Sequence, residues 1–305
     1  MKKILLETLT CAVVCTCFAT SCSKSSNSSK ASTGSAYTYD TTYPVSVYTG
    51  MLLFPAYVAI DGNGNLFVSE SLGVVVEITP NGTITNFDSF LDPTGVVADG
   101  SGHIYVASNM GNGMIGYIEG LGGGIVRGIG NGTGFVNGLV LDANNNLFAA
   151  NTTANEIDEI TPNGTLTVFA SKVPHVGGLA LGADGSLYAT STTDSNSLTA
   201  GSVLKFSPSG TVTTVANSLP FNGQVGIAID RNNNLYLTCY NPNSPTSYVI
   251  EVKNAGAGAV SAANNIVLTT NVLVPRGIAI DQAGNLYVVN VGTVNEGSIS
   301  KLTLH

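Results

Sequence analysis

A chain of 305 residues with 10% charged side chains, 36 glycines and 44% apolar residues suits many short, half-buried strands better than helices, whose solvent faces need more charge. Its formal net charge of −8 comes with no basic stripe, which excludes nucleic acid as a partner, because phosphate binding depends on clustered Lys and Arg.

The first predicted element is a processing signal over residues 1–21. Met1, Lys2 and Lys3 give it a positive start, Ile4 to Ala19 is largely apolar although Glu7 interrupts it, and small residues follow at Thr20 and Ser21. The apolar run is short and carries an acid, which argues against a transmembrane anchor. Ala19-Thr20-Ser21-Cys22 resembles the lipobox of bacterial lipoprotein precursors, with Ala19 where Leu is usual and Ser21 where Gly or Ala is usual. That resemblance implies lipidation at Cys22; an ordinary cleaved signal is the alternative. Residues 22–43 read as a Ser-rich tether. The expected location is the bacterial cell envelope, lipid-anchored and facing the periplasm or the cell surface. Removing Lys2, Lys3 and Glu7 with the signal leaves 9 basic and 18 acidic residues. It also leaves only Cys22 and Cys239 of the five cysteines, too few for a disulfide framework. Cys239 reads as a small buried hydrophobe or as a thiol at the strand end facing a channel.

From Tyr57 onward one phrase returns six times: YVAID-GNG-NLFV, GVVAD-GSG-HIYV, GLVLD-ANN-NLFA, GLALG-ADG-SLYA, GIAID-RNN-NLYL and GIAID-QAG-NLYV. Its Asp position falls at 61, 99, 142, 182 (a Gly), 230 and 281, giving steps of 38, 43, 40, 48 and 51 residues. Such periods mark repetition of one supersecondary unit. Asp61, Asp99, Asp142, Asp230 and Asp281 can accept the N–H groups of the turn that follows, while Gly or Asn takes the positive-φ position. A second tight hairpin appears in ITPNGTIT, ITPNGTLT and FSPSGTVT. Two hairpins per unit give four antiparallel strands, so the predicted fold is all-β, a six-bladed β-propeller over residues 44–305. The last unit has no sequence left for a fourth strand. Pro44 to Gly50 should supply it by pairing with Ser298 to Leu304, closing the ring.

Metal and catalytic groups are sparse. His103, His175 and His305 fall on separate turns, which argues against a zinc site. DGNGN, DANNN and DRNNN at Asp61, Asp142 and Asp230 begin like calcium loops but lack the Gly at position six and the Glu at position twelve. Asn81-Gly82-Thr83, Asn131-Gly132-Thr133 and Asn163-Gly164-Thr165 match the glycosylation sequon, and the first and third read as turn chemistry.

The repeated phrase resembles the NHL repeat and is similar to blades of the senescence-marker/gluconolactonase hydrolases. The second hairpins look like those of virginiamycin B lyase-like propellers. The likeness spans Pro44 to His305. Ser69 to Val75 and Ala149 to Ile157 lack the Arg that NHL blades often carry, and the chain has no Trp and no paired His for lyase-type loops. The hydrolase resemblance implies a divalent cation such as calcium at the top of the channel, with Asn137 as a ligand. Arg276 and Thr94 stand at the corresponding places before Gly277 and Gly95, and a ring of amides with one carboxylate and one Arg is a poor cation site.

The expected site is the channel mouth, where Glu70, Asn109, Asn137, Asn151, His175, Tyr240, Arg276 and Asn290 should gather and bind a polar ligand through amide hydrogen bonds. No cofactor, metal ligand or catalytic residue is assigned. The functional expectation is a monomeric, membrane-tethered scaffold binding a protein, peptide or glycan. The alternative is a metal-dependent lactone or ester hydrolase.

Overall fold

Each copy of the repeated phrase folds as the inner hairpin of one blade. The computed structural model describes residues 38–39, 43–109, 113–119, 127–131, 134–193, 201–221, 225–240, 247–253, 255–257, 265–292 and 297–304. Cys22, the signal over 1–21 and His305 lie outside these residues. Two strands come first, the two-residue β1 (Thr38–Tyr39) and the eight-residue β2 (Val45–Leu52). Blade one is β3 (Pro55–Ile60), β4 (Leu66–Glu70), β5 (Val74–Ile78) and β6 (Ile84–Ser89). Blade two is β7 (Pro93–Ala98), β8 (His103–Ser108), β9 (Met114–Glu119) and β10 (Arg127–Asn131). Blade three is β11 (Val136–Leu141), β12 (Leu147–Asn151), β13 (Glu156–Ile160) and β14 (Leu166–Ser171). Blade four is β15 (Leu179–Leu181), β16 (Leu187–Thr192), β17 (Gly201–Phe206) and β18 (Val212–Leu219). Blade five is β19 (Ile227–Ile229), β20 (Leu235–Cys239), β21 (Tyr248–Val252) and β22 (Asn265–Thr269). Blade six is β23 (Pro275–Ile280), β24 (Asn285–Asn290) and β25 (Gly297–Thr303), completed by β2.

The fold is a six-bladed β-propeller of four-stranded antiparallel blades. Its closure is the one expected from the leftover sequence: β2 pairs antiparallel with β25, with Val45 opposite Leu302, Val47 opposite Ser300 and Leu52 opposite Gly297. Beyond that expectation, Thr38 and Tyr39 add to β22 as a parallel edge strand, facing Ile266 and Val267. Part of the segment assigned to the tether therefore belongs to the sheet. Among the described residues the only helical piece is the 3-10 turn Ala255–Ala257, and none is long and apolar enough to cross a membrane.

The turns follow the chemistry of their residues. Asp61 Oδ1 accepts the N–H groups of Asn63 and Asn65, and its Oδ2 accepts Asn65 Nδ2 at 2.9 Å. Asp142, Asp230 and Asp281 repeat this. In the fourth copy, where Gly182 replaces the Asp, Asp184 takes over by accepting from the Ser186 amide and hydroxyl. The positive-φ places go to Gly64, Gly102, Asn145, Gly185, Asn233 and Gly284.

The inner strands crowd around the axis, which explains the Gly that opens the phrase. A Cβ on Gly226 would stand 2.4 Å from the Arg276 carbonyl oxygen, and one on Gly95 would stand 2.3 Å from that of Asn137. Only glycine allows so close a backbone approach. Blade one has Tyr57 there instead, and Gly277 of blade six packs directly on its Cα. One residue further along, Val58, Val96, Leu139, Leu179, Ile227 and Ile278 form an apolar girdle that narrows the channel to a cavity of about 50 Å³.

Hydroxyl groups tie successive blades together near the axis. Ser69 donates to the Thr94 carbonyl, Thr94 to Val136, Thr152 to Val176, Thr190 to Val225 and Thr238 to Arg276. Three of these hydroxyls also accept the inner-strand N–H of their own blade, at Tyr57, Gly178 and Gly226. The matching place in blade six is Val289, which has no hydroxyl; it packs instead in the apolar wedge between blades six and one with Leu52, Val58, Val68 and Tyr287, and Tyr48 of β2 donates to the Thr79 carbonyl of blade one at 3.3 Å.

Apolar wedges fill the spaces between blades. Tyr57, Phe67, Phe87 and Phe90 pack with Val96, Ile104 and Val106 between blades one and two. Cys239 lies fully buried in the wedge between blades four and five, where burial pushes its thiol pKa up. It is a core residue and not a channel thiol.

Candidate functional site

Every inner strand starts on one face of the ring, called upper, and ends in its Asp turn on the other, called lower. Glu70, Asn109, Asn137, Asn151, His175, Tyr240, Arg276 and Asn290 all lie at the upper ends of strands or in upper loops. Their chemistry is largely occupied within the fold. Glu70 Oε1 accepts the Leu53 N–H at 2.8 Å, and burial raises its pKa against the opposing effect of that hydrogen bond. Asn290 Oδ1 accepts the Leu273 N–H at 3.2 Å while its Nδ2 donates to Ser300 Oγ at 2.8 Å. Asn109 Oδ1 accepts the Val136 N–H at 3.0 Å, joining blade two to blade three.

Asn151 Oδ1 accepts the Ala154 N–H and its Nδ2 donates to Asp158 Oδ2, both at 3.0 Å. Asp158 is almost fully buried. Desolvation and the nearby Glu156 charge outweigh the Asn151 hydrogen bond and push its pKa up to about 6. His175 is exposed, with φ 44° and its N–H donating to Asn155 Oδ1. Tyr240 is half-buried at the end of β20. Arg276 offers its carbonyl oxygen to Gly226 N–H and Thr238 Oγ1. Its guanidinium acts on the buried Tyr57 phenol, whose pKa burial nevertheless raises. No ion pair joins Arg276 to Glu70.

Asn137 is the residue to test for the implied cation. Its Nδ2 donates to Thr152 Oγ1 at 2.6 Å, and its Oδ1 is buried without a partner. One amide oxygen does not make a calcium site, which takes six to eight oxygens including carboxylates. Among the described residues no three His, Cys, Asp or Glu side chains converge closely enough to hold a metal ion, and the Glu70 Oε1 is committed to Leu53. The donor set does not fit the ion.

The upper loops carry a second feature. Leu53, Leu72, Leu91, Phe135 and Leu273 are 42%, 62%, 66%, 56% and 51% exposed, and they come from four consecutive blades: six, one, two and three. Leu53, Leu91 and Leu273 occupy one repeat position, four residues before Tyr57, Gly95 and Gly277. The residues after them, Phe54, Asp92 and Val274, adopt φ of 50°, 49° and 51°. For a β-branched residue such as Val274 this is a strained conformation. Side-chain hydrogen bonds hold four of these loops: Glu70 caps Leu53, Asn290 caps Leu273, the Ser108 hydroxyl donates to the Leu91 carbonyl, and Thr153 Oγ1 accepts the Phe135 N–H.

The lower face holds the remaining motifs. His103 Nδ1 lies 2.6 Å from Asp99 Oδ2, and this contact with the turn amides keeps the Asp99 pKa low despite its partial burial. His103 and His175 are thus on opposite faces. Asn81 and Asn163 accept the N–H of Thr83 and Thr165 as turn residues do. The sequon at Asn131 extends outside the described residues.

No family model and no curated protein matches the chain. Solved structures do. A gluconolactonase from Xanthomonas campestris superposes with TM-score 0.64 at 15% identity, covering 86% of this chain and 90% of the other. Virginiamycin B lyase from Staphylococcus aureus gives 0.57 at 15%, covering 87% and 100%. The PQQ-bound aldose sugar dehydrogenase from Streptomyces coelicolor gives 0.60 at 14%, covering 87% and 99%. The likeness is one of fold. Gluconolactonase and virginiamycin B lyase are also the propellers that the repeated phrase and second hairpins resemble. At these identities the shared backbone carries several unrelated activities and assigns none of them here.

Proposed function

We propose that this chain is an extracytoplasmic, membrane-tethered propeller whose upper face docks a partner protein. The observation that carries this reading is the set of exposed Leu53, Leu72, Leu91, Phe135 and Leu273 in upper loops, four of them capped by side chains and three next to a non-glycine residue of positive φ. Exposed apolar clusters of this kind mark interaction surfaces, and each such side chain contributes roughly 1.5–3 kcal/mol when buried by a partner. The arc is apolar, so it favours a protein with an apolar surface of its own over a glycan. Tethering rests on the lipobox-like string at Cys22, and Cys22→Ala should move the protein from the membrane fraction to a soluble extracytoplasmic one.

Lactone hydrolysis is the competing activity, drawn from the gluconolactonase fold likeness. It is tested by assaying glucono-lactone and simple aryl esters with and without added calcium, zinc or manganese. The scaffold reading expects no turnover above the uncatalysed rate. Metal-dependent turnover lost in Asn137→Ala would replace it with the hydrolase.

A further inference from the structure

A second concavity, apart from the narrow channel, lies on the lower face, away from the apolar arc. It is a cleft of about 740 Å³ between blades five and six, within the roughly 300–1,000 Å³ typical of small-molecule sites. One wall is the blade-five turn from Asp230 to Asn234 with Glu251 of β21 and Lys253 just after it. The other wall is the blade-six turn from Asp281 to Gly284. Tyr43, just before β2, and Leu304, just after β25, complete it, so docking of the closing strand also completes the cleft. The corresponding junction between blades four and five is filled. There Lys205 Nζ reaches Asp184 at 3.0 Å and the Gly256 carbonyl at 3.3 Å, and Gly256 packs on Asn233. The 3-10 turn at Ala255–Ala257 that fills that junction has no counterpart among the residues lining the cleft.

The lining selects among ligands. Asp230 and Asp281 keep their carboxylates within their turns and accept the hydroxyls of Tyr236 and Tyr287 at 3.2 and 3.3 Å. Glu251 is buried against the cleft, with Lys253 Nζ at 3.6 Å as its counter-ion. Three carboxylates disfavour an anion. The cationic position beside Glu251 is already taken by Lys253, and Arg231 stands at the rim, which disfavours a cation. What remains is a neutral ligand that both donates and accepts hydrogen bonds and also presents an apolar face. Glu251, Gln282, Asn232 and Arg231 supply the polar contacts; Tyr43, with Ile229 and Ile280, supplies the apolar ones.

We infer that the cleft between blades five and six binds a neutral saccharide, with Glu251 and Gln282 bonding its hydroxyls and Tyr43 packing on its C–H face. The site is independent of the upper arc. The test uses the purified chain without its signal. It is applied to an array of neutral, sialylated and sulfated glycans, with titration calorimetry on the strongest neutral disaccharide and on spermidine as a cationic probe. Saturable binding of a neutral glycan is expected, weakened at least tenfold in Glu251→Gln, in Tyr43→Ala and in the exposed variant Gln282→Ala. Leu91→Asp on the opposite face should leave it unchanged. Absence of neutral-glycan binding, binding restricted to anionic glycans or spermidine, or affinity that survives all three cleft substitutions would overturn the assignment.

Discussion

Glu70 Oε1 accepts the backbone N–H of Leu53 at 2.8 Å, so a carboxylate at the end of β4 fixes the loop that presents an exposed leucine. Removing the acceptor in Glu70→Ala should cost about 1–2 kcal/mol, because the Leu53 amide loses its partner. Glu70→Gln keeps an acceptor and removes a desolvated charge, so it should be neutral or slightly stabilising at pH 7. Urea unfolding of both variants checks this.

Ring closure gives a larger effect. Deleting residues through Leu52 removes β2 and exposes the edge of β25, which should leave an aggregation-prone protein with a much lower Tm. Deleting only residues 22–36 should leave Tm within a degree or two. Equal melting of the two truncations would contradict the closure.

The inter-blade hydroxyls should matter individually. Thr238→Val preserves shape but removes the group that accepts from Gly226 N–H at 2.9 Å and donates to the Arg276 carbonyl at 2.5 Å. A loss of about 1–3 kcal/mol is expected for these buried partners, read from the shift in denaturation midpoint.

Asp158 sets a pH dependence of definite sign. Its folded pKa is raised to about 6 from 3.8. Between those values the folded state therefore holds a proton that the unfolded state has released. Stability should fall as pH rises from about 4 to 6 and level off above, by no more than about 3 kcal/mol. In Asp158→Asn that segment of the profile should be flat, and the variant should be more stable than the parent at pH 7.

How far the sequence reached can be seen in particular residues. The Asp turns and the β2 closure were legible because turn chemistry is local and a propeller must supply its missing strand. The roles of Glu70, Asn109 and Asn290 were not, since the amides they cap lie 17, 27 and 17 residues away. The repeat pattern shows that these side chains share a face but not that their polar atoms are already bonded. The hydroxyl ties escaped for another reason. Ser69, Thr190 and Thr238 share one repeat position, whereas Thr94 and Thr152 reach neighbouring carbonyls from other positions, so aligning the copies hides the series. The apolar arc did leave a signal: Leu53, Leu91 and Leu273 recur at a fixed offset in loops that would otherwise be polar. The cleft between blades five and six left none, because turns of two different blades and the residues flanking the closing pair of strands, Tyr43 and Leu304, build it.

Docking of a protein on the upper arc is tested most directly by photo-crosslinking in the native cell, with benzoylphenylalanine placed at Leu53, Leu91 or Leu273 of the full chain. Val168, exposed on the outer strand of blade three, is the control position. The three upper positions should give one common adduct, absent from Val168 and abolished by Phe135→Asp on the same arc. No discrete adduct from the upper positions, or the same adduct from Val168, would contradict the docking surface.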